Sequence, residues 1–294
     1  MRTISTPAVI GVLGQGAMGS GIAADLKASG FDVVTALEGR SARSTERAKK
    51  AGVRVLASLG EVVRTADTFL SIVPSDQAEP LADAVAQHLS ARGPGNPLHY
   101  VDCNSITPSR SARIGARVTA SGAVFSDGGI IGPPPPGRVK TRLYVSGPKS
   151  EILTALQSDH MPVIRLGDGL TQATEMKVLF AAANKGATAL LANVLAAAKE
   201  VGLLDRVVGE IDAVRPGLLT CVRNSAPDLD DKAARWAIEM EDLAEGLAEM
   251  HCHGGYHKAA AESYRRLAAN LADRRPGGDP LERVLAAWVG PKLG

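Results

Sequence analysis

Residues 9–30 read VIGVLGQGAMGSGIAADLKASG, and this stretch decides the fold of the first half of the chain. A short apolar run precedes a glycine-rich turn, and apolar residues then recur at helical spacing, which predicts a strand, a turn and a helix. In this setting G-x-G-x-x-G predicts a dinucleotide-binding turn, because its glycines permit a tight bend, close approach of a pyrophosphate and close helix packing. The residues predicted to bind the cofactor here are Gly14, Gln15, Gly16, Ala17, Met18 and Gly19.

Short apolar runs alternate with amphipathic stretches as far as about residue 166. Further strands are predicted at 32–37, 54–56, 67–73, 98–103, 142–147 and 161–167, and further helices at 45–52, 79–89 and 109–118. Parallel strands need a crossover that is usually helical, so this alternation predicts an α/β fold with a Rossmann-type doubly wound parallel sheet within residues 1–166. Residues 167–294 are alanine-rich and helical in period, which predicts an all-α C-terminal domain. The segment SDGG at 126–129 is interpreted as a loop.

The segment EGRSARS at 38–44 follows the second predicted strand and indicates which nicotinamide dinucleotide binds. An acidic residue there pairs with the ribose hydroxyls of NAD, whereas arginine and serine suit the 2′-phosphate of NADP. Arg40, Ser41 and Arg43 therefore predict NADP rather than NAD, although Glu38 points the other way. The alternative is a solvated, charged loop.

Composition narrows the function classes. The 294 residues carry a formal net charge of +2 with no block of like charge, which predicts no nucleic-acid or membrane partner. Three separated cysteines without a C-x-x-C pair suit a reducing, cytoplasmic compartment. The apolar run at 178–198 is long enough to span a bilayer, but polar residues interrupt it, so a protein-buried helix is expected.

A lysine stands in an otherwise apolar helical stretch, TEMKVLFAAANKG at 174–186. Burying an ammonium group is costly unless it is paired or used in chemistry, so Lys177 is a candidate for catalysis. The alternative is a helix-end lysine whose head reaches water. On a 3.6-residue period Lys177, Ala181, Asn184 and Thr188 fall on one side of the helix.

Several motifs together resemble the β-hydroxyacid dehydrogenases, which include 3-hydroxyisobutyrate and 6-phosphogluconate dehydrogenases and have imine reductases as relatives. The motifs are Gly14 to Gly19, SIVP at 71–74, DCNSI at 102–106, SDGG at 126–129 and Lys177. The helical remainder resembles a little-characterised branch of the family. The resemblance implies that Lys177 is the general acid/base and that the long helix forms a homodimer. It also implies that the cofactor contacts Val73, Pro74 and Asn104. The residues implied to contact the substrate are Ser105, Ser126, Gly128 and Gly129.

The sequence also departs from the family pattern. Ala181 stands where many members have an asparagine that orients the substrate hydroxyl. We expect Asn184, about one helical turn further along, to take that role. Asp127 is interpreted as a contact to a cationic substrate group or as a cap of its loop. His257 is a candidate substrate contact or proton donor, with a helix-cap or interface role as the alternative. No metal site is expected at His251, His253 and His257, because Gly254 and Gly255 interrupt the helical pattern there and no cysteine or carboxylate pattern of known spacing lies nearby.

Together with the predicted NADP site, the resemblance implies an NADP-dependent oxidoreductase whose small, anionic hydroxy-acid substrate lies in a cleft between the two domains. Hydride would pass between the nicotinamide and a carbinol or carbonyl carbon, while Lys177 exchanges the hydroxyl proton. Two alternatives stay open: reduction of C=N, as in imine reductases, and a sensor that binds NADP without turnover.

Overall fold

Eight strands form one sheet in the computed structural model, which describes residues 8–93, 95–137, 139–272 and 278–289. The strands are β1 (Val9–Leu13), β2 (Asp32–Ala36), β3 (Arg54–Leu56), β4 (Thr68–Ser71), β5 (His99–Asp102), β6 (Val124–Ile131), β7 (Arg142–Ser146) and β8 (Val163–Gly167). Their order is β3-β2-β1-β4-β5-β6-β7-β8. Neighbours pair in parallel except β6 and β7, which are antiparallel. The predicted Rossmann-type sheet is therefore confirmed, with one strand reversed.

Strand β6 corrects the prediction of a loop at 126–129. It pairs in parallel with β5, from His99 opposite Val124 to Asp102 opposite Asp127, and in antiparallel with β7. Its small and polar residues interrupt the apolar pattern, so the local sequence does not indicate a strand. The partners that make a buried strand possible here come from distant parts of the chain.

Helices cover both faces of the sheet, as expected for strands buried on both sides. They are α1 (Ala17–Ala28), α2 (Ala42–Ala51), α3 (Leu59–Thr65), α4 (Ala78–Leu89) and α5 (Pro108–Ala120). Successive strand residues point to opposite faces, so Leu70 joins a core with α1, whereas Phe69 joins a core with α3, α4 and α5. Phe69 also stacks on Tyr100, with ring centroids 5.3 Å apart.

The proline run, GPPPPG at 132–137, leaves the end of β6 and packs against α1. A Cβ at Gly21 would lie 2.6 Å from the carbonyl oxygen of Pro135, so the absent side chain lets the loop approach the helix. The Thr141 hydroxyl donates to the carbonyl of Pro133 and ties down the other side of this loop.

The chain divides into two compact units, Met1–Lys177 and Val178–Gly294. Helix α6 (Gln172–Glu200) begins in the first unit and continues into the second, which also contains α7 (Leu204–Val214), α8 (Thr220–Ser225), α9 (Leu229–Glu249), α10 (Gly255–Ala272) and α11 (Pro280–Trp288). The ring of Tyr264 packs edge-on to Trp236 and Trp288, at centroid distances of 5.5 and 5.6 Å. By length and composition alone α6 could cross a membrane, a test that the core helix of a soluble protein also passes.

Candidate active site

The glycine turn between β1 and α1 has the backbone geometry that its motif predicts. Gly14 has φ +99°, and a Cβ there would lie 2.0 Å from the carbonyl oxygen of Ile72. A Cβ on Gly19 would lie 1.9 Å from the carbonyl oxygen of Gly14, so the third glycine allows α1 to pack close to the turn. At Gly16 a Cβ would meet no atom within 4 Å. The second glycine therefore faces the open space that a pyrophosphate needs at a helix N-terminus.

The other residues of this turn differ in exposure. Ala17 is exposed, and Met18 packs on the core beside α1. Gln15 is 2% exposed, and its Nε2 donates to the carbonyl of Val12 at 3.0 Å and to the Thr35 hydroxyl at 3.3 Å. The Gln15 side chain thus ties β1 to β2 instead of facing the open space at Gly16.

The segment after β2 presents two exposed arginines next to a helix N-terminus. Ser41 caps α2 by accepting a hydrogen bond from the Ser44 N–H at 3.3 Å. Arg40 and Arg43 are exposed and take part in none of the ion pairs found among the described residues. Because β2 is the neighbour of β1, these cations lie at the strand end where the adenosine ribose of a dinucleotide is expected.

The ends of β4 and β5 are joined by the side chain of Asn104, which is 2% exposed. Its Oδ1 accepts from the Val73 N–H at 2.7 Å, and its Nδ2 donates to Ser71 Oγ at 2.9 Å and to Asp102 Oδ2 at 3.1 Å. These bonds occupy the amide that was predicted to meet the cofactor. Pro74 and Ser105, next to these strand ends, are exposed.

The ammonium group of Lys177 lies at the carboxyl end of β5. Its Nζ donates to the carbonyl oxygens of Cys103 at 3.3 Å and Asn104 at 3.2 Å. Parallel β1, β4 and β5 all end at this edge of the sheet, so the lysine and the glycine turn share the edge at which such folds bind ligands.

Two buried carboxyl groups lie side by side in this part of the sheet, since Asp102 is in register with Asp127. Burial raises the pKa of Asp102 to about 7, and the nearby Asp127 adds to the rise, whereas the Asn104 N–H and the Lys177 ammonium oppose it. Burial also raises the pKa of Asp127 and that of the Cys103 thiol. Burial therefore favours the neutral thiol of Cys103 over the thiolate, which is the nucleophilic form.

The residues of β6 are packed in ways that the predicted substrate contacts did not anticipate. Ser126 is fully buried, and its hydroxyl lies 2.8 Å from His99 Nε2. Asp127, also fully buried, accepts from the Thr174 N–H at 2.7 Å, the Thr174 hydroxyl at 2.6 Å and the Ser111 hydroxyl at 2.9 Å. This placement argues against a substrate contact for either side chain, because both are enclosed and already bonded.

The two glycines of β6 have a packing role. A Cβ on Gly128 would lie 2.7 Å from Cys103 Sγ, and a Cβ on Gly129 would lie 2.4 Å from the carbonyl oxygen of Ala173. Their missing side chains allow β5 and the start of α6 to approach β6. Backbone contacts from these glycines to a substrate stay a prediction.

Asn184 and Thr188, which were expected on one polar face of α6, differ in their exposure to solvent. Asn184 is exposed, whereas Thr188 is fully buried and its hydroxyl donates to the carbonyl of Asn184 at 2.9 Å. His257 is partly buried, with Nε2 3.2 Å from the carbonyl oxygen of Ala182. The histidine is thus held against α6. Among the described residues, no three metal-ligating side chains come together, at the histidines or elsewhere.

The residues that sequence reasoning missed are the partners of this network: Asp102, Ser111, Ser146 and Thr174. In the sequence, Asp102 stands out only as part of the DCNSI segment at 102–106. The sequence feature that could have identified Asp102 is its position at the end of an apolar strand, because a carboxylate buried there needs hydrogen-bond partners.

A family model described as the NAD binding domain of 6-phosphogluconate dehydrogenase matches residues 9–157, just over half of the chain. The chain belongs to this 6-phosphogluconate dehydrogenase family. A second model, a domain of unknown function (DUF1932), matches residues 198–267 in the helical unit. The family is one of NAD-binding dehydrogenases, so the chain is an oxidoreductase by family.

Two solved structures share the fold over nearly the whole chain, and one protein is similar in sequence over part of it. The 3-hydroxyisobutyrate dehydrogenase of Mycobacterium tuberculosis, solved with L-serine, has a TM-score of 0.73 at 18% identity, covering 94% of this chain and 98% of its own. A Myxococcus stipitatus imine reductase variant, solved with NAD⁺, has a TM-score of 0.59 at 18% identity, covering 96% and 100%. An uncharacterised 28.5 kDa protein of Methanothermus fervidus is 26% identical over 201 residues, 68% of this chain and 74% of its own.

Proposed function

We propose that the protein is an NADP-dependent oxidoreductase acting on the carbinol or carbonyl carbon of a small anionic hydroxy acid, with Lys177 as general acid/base. The observation that carries the proposal is the Lys177 ammonium, held by the carbonyls of Cys103 and Asn104 at the sheet edge where the glycine turn lies. Family membership supports the nicotinamide cofactor, and the open space at Gly16 fits its pyrophosphate.

Lys177 suits proton transfer to a reacting oxygen. When bound, the nicotinamide supplies or accepts a hydride. As a carbonyl is reduced, the Lys177 ammonium gives a proton to its oxygen, and in the reverse direction the neutral amine takes the proton from the hydroxyl. The two backbone carbonyls direct the amine, so that its position does not depend on the substrate.

The experiment is a panel of hydroxy acids, aldehydes and cyclic imines, assayed in both directions with NADP and NAD. We expect turnover of a hydroxy acid and a fall in kcat of roughly 10²–10⁴-fold in Lys177→Met, the range that general acid–base catalysis contributes. NADPH binding should be retained in this variant. The exposed Lys50, on α2, gives a matched control, Lys50→Met. Undiminished activity of Lys177→Met would remove the proposed acid/base.

NADP preference is attributed to Arg40, Ser41 and Arg43. Charge-assisted hydrogen bonds contribute about 1.5–3 kcal/mol each, so Arg40→Ala with Arg43→Ala should raise the Kd of NADP by at least about tenfold. The Kd of NAD, which lacks the 2′-phosphate, should change little. Arg47→Ala, on the same helix α2, is the control. A wild-type preference for NAD in equilibrium binding would overturn this assignment.

Reduction of C=N is the second candidate function, and the shared fold with imine reductases favours keeping it. The same panel separates the candidates, because this function predicts turnover of cyclic imines without turnover of hydroxy acids. Tight NADPH binding with no turnover of any compound would instead support a sensor.

A further inference from the structure

The first turn of α6, which carries Lys177, is held by side chains of the sheet. The N–H groups of a helix's first turn have no partner within the helix and need acceptors from elsewhere. Here the Ala173 N–H donates to Ser146 Oγ at 3.1 Å, and the Thr174 N–H donates to Asp127 Oδ2 at 2.7 Å. Both acceptors lie on strands distant in sequence, so these bonds fix α6 against the sheet.

The hydrogen bonds that hold the first turn of α6 on the sheet are called the anchor here, and Asp127 accepts most of them. Its Oδ1 accepts from the hydroxyls of Thr174 at 2.6 Å and Ser111 at 2.9 Å, so both carboxylate oxygens are bonded. The side chain is fully buried. A buried carboxylate is costly unless it is well bonded, and the positive end of a helix stabilises it. The carboxylate and the helix therefore hold each other in place.

The anchor reaches Lys177 over a short distance. Lys177 follows Thr174 by about one helical turn, and its own Cβ would lie 3.4 Å from a Cβ built on Gly129. Gly129 is two residues along β6 from Asp127. The stem of the lysine therefore begins against β6, and its Nζ ends on the carbonyls at the end of neighbouring β5.

We propose that Asp127 is a positioning residue for Lys177: it fixes the first turn of α6 on β6 and so fixes where the Lys177 ammonium meets the reacting oxygen. Asp127 acts through hydrogen bonds and does not touch the substrate. The inference rests on the proposed function, in which Lys177 is the acid/base.

Asp127→Asn and Asp127→Val distinguish positioning from a need for charge. An asparagine Oδ1 can accept from the Thr174 N–H, and its amide can donate to the two hydroxyls, which also accept hydrogen bonds. We expect Asp127→Asn to keep kcat within about threefold, whereas Asp127→Val should lose roughly 10–100-fold in kcat, as expected for a misplaced catalytic group. Substrate KM and NADPH Kd should stay within about threefold in both variants, since the anchor acts on Lys177 rather than on binding.

Two further variants guard against a simple folding defect. Thr174→Val removes one hydroxyl contact of Asp127 and keeps the backbone bond, so an intermediate loss of about three- to tenfold in kcat is expected. Ser150→Ala removes two hydrogen bonds elsewhere in the same unit and should leave kcat unchanged, because Ser150 Oγ donates to the Gly147 carbonyl at 2.8 Å and accepts from Arg165 Nε at 3.1 Å. All kcat values are measured well below each variant's thermal midpoint.

Acetylation of Lys177 by acetic anhydride, measured by mass spectrometry with Lys50 as internal reference, reports lysine placement without turnover. Its rate should rise at least about fivefold in Asp127→Val and stay near wild type in Asp127→Asn, because only the former frees the helix turn. Wild-type kcat and labelling in Asp127→Val would overturn the inference, and so would an Asp127→Asn variant as slow as Asp127→Val. If Lys177→Met were fully active, the proposed function would fail, while the labelling would still decide the positioning.

Discussion

At the scale of single residues, burial on β5 moves two pKa values in opposite directions. Burial lowers the pKa of His99 to about 4, with the charge of Glu151 opposing the shift, and the ring meets the Ser126 hydroxyl. Burial raises the pKa of Asp102, on the same strand, to about 7. Each shift makes the free energy of unfolding depend on pH, with opposite sign.

For His99 the folded pKa is depressed, so its contribution to stability is present above the unfolded pKa of 6.5 and is lost as pH falls through about 4. The free energy of unfolding of the wild type minus that of His99→Gln should therefore rise by about 3 kcal/mol from pH 4 to pH 6.5, at about 1.4 kcal/mol per pKa unit. Urea unfolding across this pH range measures it, with the exposed His160→Gln as control. A difference that does not vary with pH would contradict the buried neutral histidine.

For Asp102 the folded pKa is raised, so its contribution is present below the unfolded value of 3.8 and is lost as pH rises through about 7. The corresponding difference between the wild type and Asp102→Asn should fall by about 4 kcal/mol over that range, which is the opposite trend. The same series of urea titrations provides the measurement, and a rise instead of a fall would contradict it.

At the scale of elements, β6 is the strand on which the site depends. One side of it pairs with β5, its glycines admit Cys103 and the start of α6, and its aspartate bonds the helix. The local sequence Ser-Asp-Gly-Gly predicts a loop, because each of the contacts that stabilise it as a strand is made with residues distant in sequence. Small residues in a strand often mark such a close approach of backbone.

Gly129→Ala tests this close approach. The added Cβ would lie 2.4 Å from the Ala173 carbonyl oxygen, so α6 must shift, and we expect a loss of about 1–3 kcal/mol in the free energy of unfolding. Gly93→Ala, where a Cβ would meet no atom within 4 Å, is the control and should stay within about 0.5 kcal/mol. Equal effects of the two changes, measured by urea unfolding, would show that the approach is not tight.

At the scale of the whole molecule, the sequence indicated the sheet, the helical second half and the cofactor turn because these depend on local periodicity and on glycine positions. It did not indicate β6 or the short α3, and it did not assign roles to Asp102 or Thr174, whose partners are distant in sequence. Lys177 was identified from its apolar neighbours, but the carbonyls that hold it could not be. The homodimer stays a prediction, which the exposed Leu179, Phe180, Leu190 and Val194 of α6 suit.

The proline loop at 132–137 has a consequence for binding entropy. A proline has its φ fixed, so four in succession have few conformations to lose when the chain is ordered. The loop rests on α1 at Gly21, close after the glycine turn, and is already in place. A flexible loop at this position would subtract an ordering term from the affinity of a ligand bound beside it, about 0.5–1.5 kcal/mol for each immobilised side chain. For the proline loop this ordering cost is small, so a ligand that binds at the N-terminus of α1 does not have to order the loop first.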